Sequence, residues 1–215
     1  MSNQLQGWEK YYRKHPDTNR HIVHEDAKGL QRLFKAAHVS KILDLGCGDG
    51  RHLKYFSKFG YQVFGFDISP TALRLAEDWL QAEGLSAELA CGDMTDLPWP
   101  QAFFDAIVSV QVLNHGYPQD IQSAIDETLR VLKPGGWFYL CLQTGPPPDP
   151  AENPSIQILA PNTYVIVSGE KEIGVPHYCF SEEELIKAFS HFNLETGPYL
   201  DKRGKTCMLF RRPRL

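Results

Sequence analysis

Glycines occupy every second position of Gly46-Cys47-Gly48-Asp49-Gly50, directly after the apolar run Ile42-Leu43-Asp44-Leu45, and this constrains the fold more than any other feature of the chain. Residues without a Cβ let a backbone leaving a strand turn tightly and approach a ligand closely. Residues 41–46 therefore read as a strand stopped by glycine, and Leu53, Phe56 and Phe59 give residues 51–59 helical spacing. The alternation continues. Residues 61–67 read as a second strand, and Pro70 opens a helix whose apolar face carries Leu73, Leu75, Ala76, Trp79 and Leu80, ended by Gly84. A third strand is expected at 87–90, and residues 103–113 are too continuously apolar for a strand with one wet face. Ile121, Ala124, Ile125, Leu129 and Leu132 mark a further helix closed by Pro134-Gly135-Gly136, with a fifth strand at 137–142. Strand and helix in this order predict an α/β, doubly wound, mostly parallel sheet with helices on both faces.

Five prolines within residues 144–154 prevent either element from continuing. They open an insertion of about 143–177, for which the pattern suggests a hairpin of 163–167 with 172–175 around Gly169. Ser181 stands three residues before Glu184, a capping box for the next helix, and two strands follow near 192–199 and 206–210. A length of 215 residues suits one domain, 1–215. Hydrophobic residues at 42% and charged residues at 22% fit a globular protein, and no apolar run reaches bilayer length. The opening residues lack the pattern of a secretory leader, and the five cysteines are scattered with no CxxC pair. A soluble, cytoplasmic protein without a disulfide scaffold or zinc knuckle is expected. A net charge of -4 gives no general attraction to nucleic acid or to a membrane. The basic stretches at 10–35 and 202–214 read as solvated surface rather than phosphate sites.

Three kinds of nucleotide loop can follow a first strand. A P-loop needs Gly-Lys-Ser/Thr, which Asp49-Gly50-Arg51 does not supply. A dinucleotide fingerprint starting at Gly46 needs a small residue where Arg51 stands, and Asp44 and Asp49 would oppose a pyrophosphate. The loop better suits a ligand carrying an amine and a sulfonium. Asp67, at the end of the second strand, is suited to accept from two ribose hydroxyls, although dinucleotide enzymes place an acid there too. Asp93 can meet an adenine amine with Met94 packed beside the ring, or it can simply start a turn.

ILDLGCGDG, FGFDIS, CGDM, FDAIVSVQVLNH and LKPGG resemble, in order, the motifs of class I S-adenosylmethionine-dependent methyltransferases, particularly small members related to tellurite-resistance methyltransferases. The likeness covers about residues 41–142. It implies a seven-stranded sheet with an antiparallel last strand and S-adenosyl-L-methionine as cofactor. On that resemblance Asp44, Gly46, Cys47 and Gly48 line the methionyl side, Asp67 holds ribose, Ile68 packs on adenine, and Asp93 and Met94 meet adenine from its other side. Gln111 lies beneath the methionine moiety, Arg51 matches the first helix of this subgroup, and His115 matches a recurrent histidine after the fourth strand. The family also folds an N-terminal helical lid over the cofactor, here about 1–38.

An activated sulfonium methyl asks chiefly for alignment of the acceptor and exclusion of water, so no metal is expected, and a base is needed only for an acceptor that must shed a proton. His115 is the candidate base, or a structural histidine bonded to a loop. Tyr11 and Tyr12 either close a lid over the sulfonium or pack an amphipathic helix with Trp8. Tyr164, His177 and Tyr178 serve a pocket or a hairpin core. Gln111 to His115 reads QVLNH rather than Asn-Pro-Pro-Tyr, which in this family argues against amide or base nitrogens. A small-molecule acceptor is expected, on a monomer or homodimer, with an NAD-dependent oxidoreductase or a non-catalytic S-adenosylmethionine-binding protein as the rival readings.

Overall fold

The computed structural model describes residues 3–16 and 22–214. Two helices, α1 (Asn3–Lys14) and α2 (Ala27–Ala36), precede β1 (Lys41–Leu45), α3 (Arg51–Ser57), β2 (Gln62–Asp67), α4 (Pro70–Ala82), β3 (Glu88–Cys91), β4 (Phe104–Val110), α5 (Pro118–Val131) and β5 (Leu132–Leu142). Three short strands follow, β6 (Ile156–Ala160), β7 (Thr163–Ile166) and β8 (Pro176–Tyr178), and then α6 (Glu182–Ala188), β9 (Asn193–Leu200) and β10 (Thr206–Arg211). The principal sheet runs β3-β2-β1-β4-β5-β10-β9. Its first five strands are parallel, and β10 is antiparallel to both β5 and β9. The doubly wound, seven-stranded sheet with an antiparallel last strand is therefore the one expected.

The period-2 geometry of the strands explains why the apolar runs are continuous. Leu43, Leu45, Phe64, Phe66, Ile107, Phe138 and Leu140 face one core with Ile121, Ile125 and Phe189 from α5 and the end of α6. Their neighbours Ile42, Val63, Ala106, Val108, Tyr139 and Cys141 face the other, with Phe34, Phe56, Leu73 and Leu80 from α2, α3 and α4. Both sheet faces are covered. The order reverses between β1 and β4, so a crevice opens beyond their carboxyl ends.

Local chemistry sets the element ends. Pro70 fills the first turn of α4 while the Ser69 side chain accepts from the Ala72 amide, and the expected capping box of Ser181 and Glu184 starts α6. Two details differ from the pattern. The fifth strand begins at Leu132 and takes in Pro134-Gly135-Gly136, because the Gly135 amide donates to the Arg212 carbonyl and the Arg212 amide donates back to Gly136. In the insertion, β7 pairs with β6 on one side and β8 on the other, whereas residues 172–175 contribute only an isolated bridge between Ile173 and Ile166. The strand β6 went unseen because four of its five residues are exposed and carry no alternation.

Phe138 is fully buried, with its ring 5.8 Å from Phe210 and 5.3 Å from Phe192. Phe138→Ala is expected to cost roughly 3–5 kcal/mol, read as a lower urea midpoint with an unchanged slope.

Candidate functional site

At the crevice lies a cleft of about 520 Å³, walled by the glycine loop, the ends of β2, β3 and β4, helix α1 and the insertion. The loop is fastened to β2: the amides of Gly46 and Cys47 both donate to the Phe66 carbonyl, at 2.8 and 3.0 Å. Gly46 and Gly48 have φ of +68° and +55°, and a Cβ on either would collide with Val112 or with the Tyr12 hydroxyl. Glycine is thus required twice, by conformation and by contact.

Asp67 receives the Gly48 amide on one carboxylate oxygen and the Ser69 amide on the other, both at 2.9 Å. It is only 8% exposed, and burial, with Asp44 nearby, pushes its pKa up to about 6 against the two amide bonds. Asp44 itself does not line the cleft. It is 2% exposed, with one oxygen 3.7 Å from His52 Nδ1 and the other without a hydrogen-bond partner. The other candidate cofactor-binding and catalytic residues, Tyr11, Tyr12, Gly46, Cys47, Gly48, Arg51, Asp67, Ile68, Asp93, Met94, Gln111 and His115, line the cleft. Asp93 also starts a turn, accepting from the Thr95 amide and hydroxyl on one oxygen. Gln111 has a left-handed φ of +61°, and its amide is held by the Cys141 carbonyl at 2.7 Å.

Helix α1 covers this end. Glu9, which the sequence reading passed over, accepts from the Ser69 and Thr71 hydroxyls at 2.7 and 2.5 Å and from the Thr71 amide at 3.2 Å, so its carboxylate caps the start of α4. Tyr11 and Tyr12 are both buried in a cluster with Trp8, and Trp8 also meets the His115 ring at 5.0 Å. The tyrosines thus pack the amphipathic helix and also line the cleft. The N-terminal lid expected over about residues 1–38 takes in residues 1–2 and 17–21, which lie outside the described residues.

The other end of the cleft is built by the insertion. His115 and His177 form a bridge between the loop after β4 and β8, and their rings meet edge to face at 4.9 Å. Tyr164 stacks on His177 at 4.8 Å, and His177 Nε2 lies 2.9 Å from Glu172. Burial, with His177 adjacent, pushes the His115 pKa down to about 3, so its imidazole is neutral near pH 7. Burial opposes the Glu172 carboxylate, yet the bond to His177 holds its pKa below the usual range. Tyr178, by contrast, does not line the cleft and instead packs edge to face on Phe180 at 4.8 Å. Lys171, Arg203 and Lys205 line the cleft too. Glu172 and Lys171 had no sequence signal, and Arg203 and Lys205 belong to the basic stretch 202–214 that reads as solvated surface; their places at the cleft depend on how the insertion and the β9–β10 turn fold back. Among the described residues, two groups bring metal-type donors together: His115, Glu172 and His177 in the cleft, and His24, Cys141, Asp201 and Cys207 beside it.

The family described as Methyltransferase domain matches residues 43–140. An uncharacterized methyltransferase of Synechocystis is 38% identical over 100 residues, 46% of this chain and 45% of that protein. The chain spans less than half the length of the curated relatives it matches. Among solved structures, the 1,6-didemethyltoxoflavin-N1-methyltransferase of Burkholderia thailandensis superposes with a TM-score of 0.70 at 18% identity, over 98% of this chain and 88% of that one. TehB of Haemophilus influenzae gives 0.63 at 21% identity, over 94% and 67%. That is likeness of fold, so the narrower kinship with tellurite-resistance methyltransferases is not established. Residues 43–140 are thus similar to the Methyltransferase domain family, and the sheet order is that of the class I methyltransferase fold. No helix of the described residues is long and apolar enough to cross a membrane.

Folding raises the Asp67 pKa from an ordinary 3.8 to about 6, so the folded state holds this proton more tightly than the unfolded chain does. The associated stabilisation is complete below about pH 3.8 and is lost as pH rises through about 6. Relative to Asp67→Asn, the unmodified protein should lose on the order of 2–3 kcal/mol across that window, measured by urea unfolding at several pH values.

Proposed function

We propose that the chain transfers the methyl group of S-adenosylmethionine to a small-molecule acceptor by in-line displacement. The observation that carries this reading is the polarity of the cleft, with a glycine-lined, acidic end under α1 and a histidine-lined end under the insertion. The residues fit the cofactor. The loop presents bare backbone to the cleft at Gly46 and Gly48, and Asp44 keeps a buried carboxylate oxygen without a partner two residues before that loop. Acids at 44, 49 and 67 favour a cationic ligand over a diphosphate.

In this reading Asp67 accepts from the ribose hydroxyls while its amide bonds hold it in place. Ile68, Asp93 and Met94 hold the adenine. Gly46, Cys47, Gly48 and Gln111 surround the methionyl end, with Asp44 buried behind the loop and Arg51 at the head of α3. When bound, S-adenosylmethionine supplies an already activated methyl group. The residues' task is then alignment and exclusion of water, which Trp8, Tyr11 and Tyr12 serve by covering the cleft. Aromatic faces there also attract a cation. His115, neutral and desolvated, is a hydrogen-bond acceptor for the incoming molecule, and His177, backed by Glu172, is the better place for a proton the acceptor gives up. Lys171, Arg203 and Lys205 suit an acceptor bearing an acidic group. The Burkholderia protein, by its name a small-molecule N-methyltransferase, supports an acceptor of that size.

A screen of small carboxylate-bearing acceptors, followed by S-adenosylhomocysteine release, tests the activity. Turnover is expected; binding of the cofactor without turnover of any acceptor would favour a binding protein, and saturable NAD binding in its place would favour an oxidoreductase. His177→Ala should lower kcat at least tenfold with cofactor affinity unchanged, whereas a change in melting temperature alone would make His177 structural. Asp67→Ala should weaken cofactor binding at least tenfold, about 1.4 kcal/mol, by titration calorimetry. Because the hydroxyls bind the ionised carboxylate, affinity for the unmodified protein should rise with pH through about 6.

A further inference from the structure

Two thiols, an imidazole and a carboxylate from three distant parts of the chain meet beside the cleft, and no role in it accounts for them. Cys141 of β5 and Cys207 of β10 are direct partners across an antiparallel pair and are fully buried. Asp201 closes over them from the turn between β9 and β10, and His24 comes from the segment before α2. One ligand atom from each of the four lies within 4.8 Å of all the others. His24 Nε2 is 3.2 Å from Asp201 Oδ2 and 3.9 Å from Cys207 Sγ. Tetrahedral zinc, with bonds of about 2.0 Å to nitrogen and oxygen and about 2.3 Å to sulfur, sets its donors about 3.3 Å (N to O) and about 3.5 Å (N to S) apart.

We propose that His24, Cys141, Asp201 and Cys207 form a four-coordinate structural site for a thiophilic divalent cation, zinc by its donor set. The surroundings are those of a built site. Asp201 Oδ1 is pinned by the amides of Arg203 and Lys205, each at 2.8 Å, which leaves Oδ2 for the ion. Metal on His24 Nε2 makes Nδ1 the protonated nitrogen, with Tyr139 Oη at 3.2 Å and Asp26 Oδ2 at 3.6 Å to receive it. The Asp26 amide, which donates to Nδ1 without metal, gives up that bond. Both thiols lose their protons to solvent on binding. Four protein donors leave no open position, so the ion would fasten the segment before α2 to the sheet rather than take part in methyl transfer. The inference is independent of the reading of the cleft.

The test uses the untagged full chain, reduced and stripped with chelator. Cobalt(II) is expected to bind at one equivalent with a thiolate-to-metal charge-transfer band and the intense visible bands of a tetrahedral ion, both abolished by zinc, and zinc should raise the melting temperature. Cys207→Ser should lose the charge-transfer intensity by at least half, and Asp201→Asn should keep it while weakening cobalt binding at least tenfold. Cys91→Ser, which removes the exposed thiol, and His177→Ala, in the sulfur-free cluster, should leave it unchanged. The site is refuted if the reduced chain shows no thiolate band, if the band survives Cys207→Ser, or if it disappears with Cys91→Ser. Isolation with Cys141 and Cys207 joined as a disulfide, and no cobalt binding after reduction, would refute it equally.

Discussion

The Asp67 carboxylate is the interaction on which the cleft depends. One oxygen takes the amide of the glycine loop and the other takes the amide that begins the turn into α4, so a single buried group ties the exits of β1 and β2 together. Burying it without cations is costly, and the elevated pKa measures that cost. The loop cannot answer with side chains, because Gly46 and Gly48 leave no room for them. A ligand with donor hydroxyls and positive charge relieves the situation, which is why geometry and electrostatics at this end point to the same class of molecule.

The two ends of the cleft are made differently. Strand ends, which the sheet fixes, supply the acidic end, whereas the histidine end exists only because β8 docks on the loop after β4. The amide of Tyr178 donates to the Asn114 carbonyl, and that of Gly116 donates to Pro176. Helix α1 spans both. Gly7 is small enough to let it lie against Val175 and Ile173 of the insertion, while Glu9 anchors it on α4. One helix thus registers the insertion against the glycine loop.

This division explains what could be read from the chain before its structure. The sheet was legible because buried parallel strands demand continuous apolar runs and their exits demand glycine, proline or acids at fixed places. Asp67 and Asp93 could be placed at the cleft for that reason, and Gln111 through the family resemblance. Glu9 and Glu172 were not, because a carboxylate on a helix surface or in a loop looks the same whether it meets water or a partner. Asp44 was read as a wall of the cleft but sits behind it, since alternation along β1 turns it toward His52. The histidine, aspartate and two cysteines beside the cleft have no spacing motif at all, since the cysteines meet only through the pairing of β5 with β10 and His24 reaches them only when the segment before α2 packs on the sheet.

That pairing has a consequence for how the molecule is made. β9 touches the sheet solely through β10, and β10 is the later of the two in the chain. As a ribosome releases the polypeptide, the first five strands can assemble in order, but residues 193–200 have no docking edge until residues 206–211 have emerged and threaded between them and β5. Until then the edge of β5 stays open to other chains, so the nascent protein is most prone to aggregation in the interval before β10 docks.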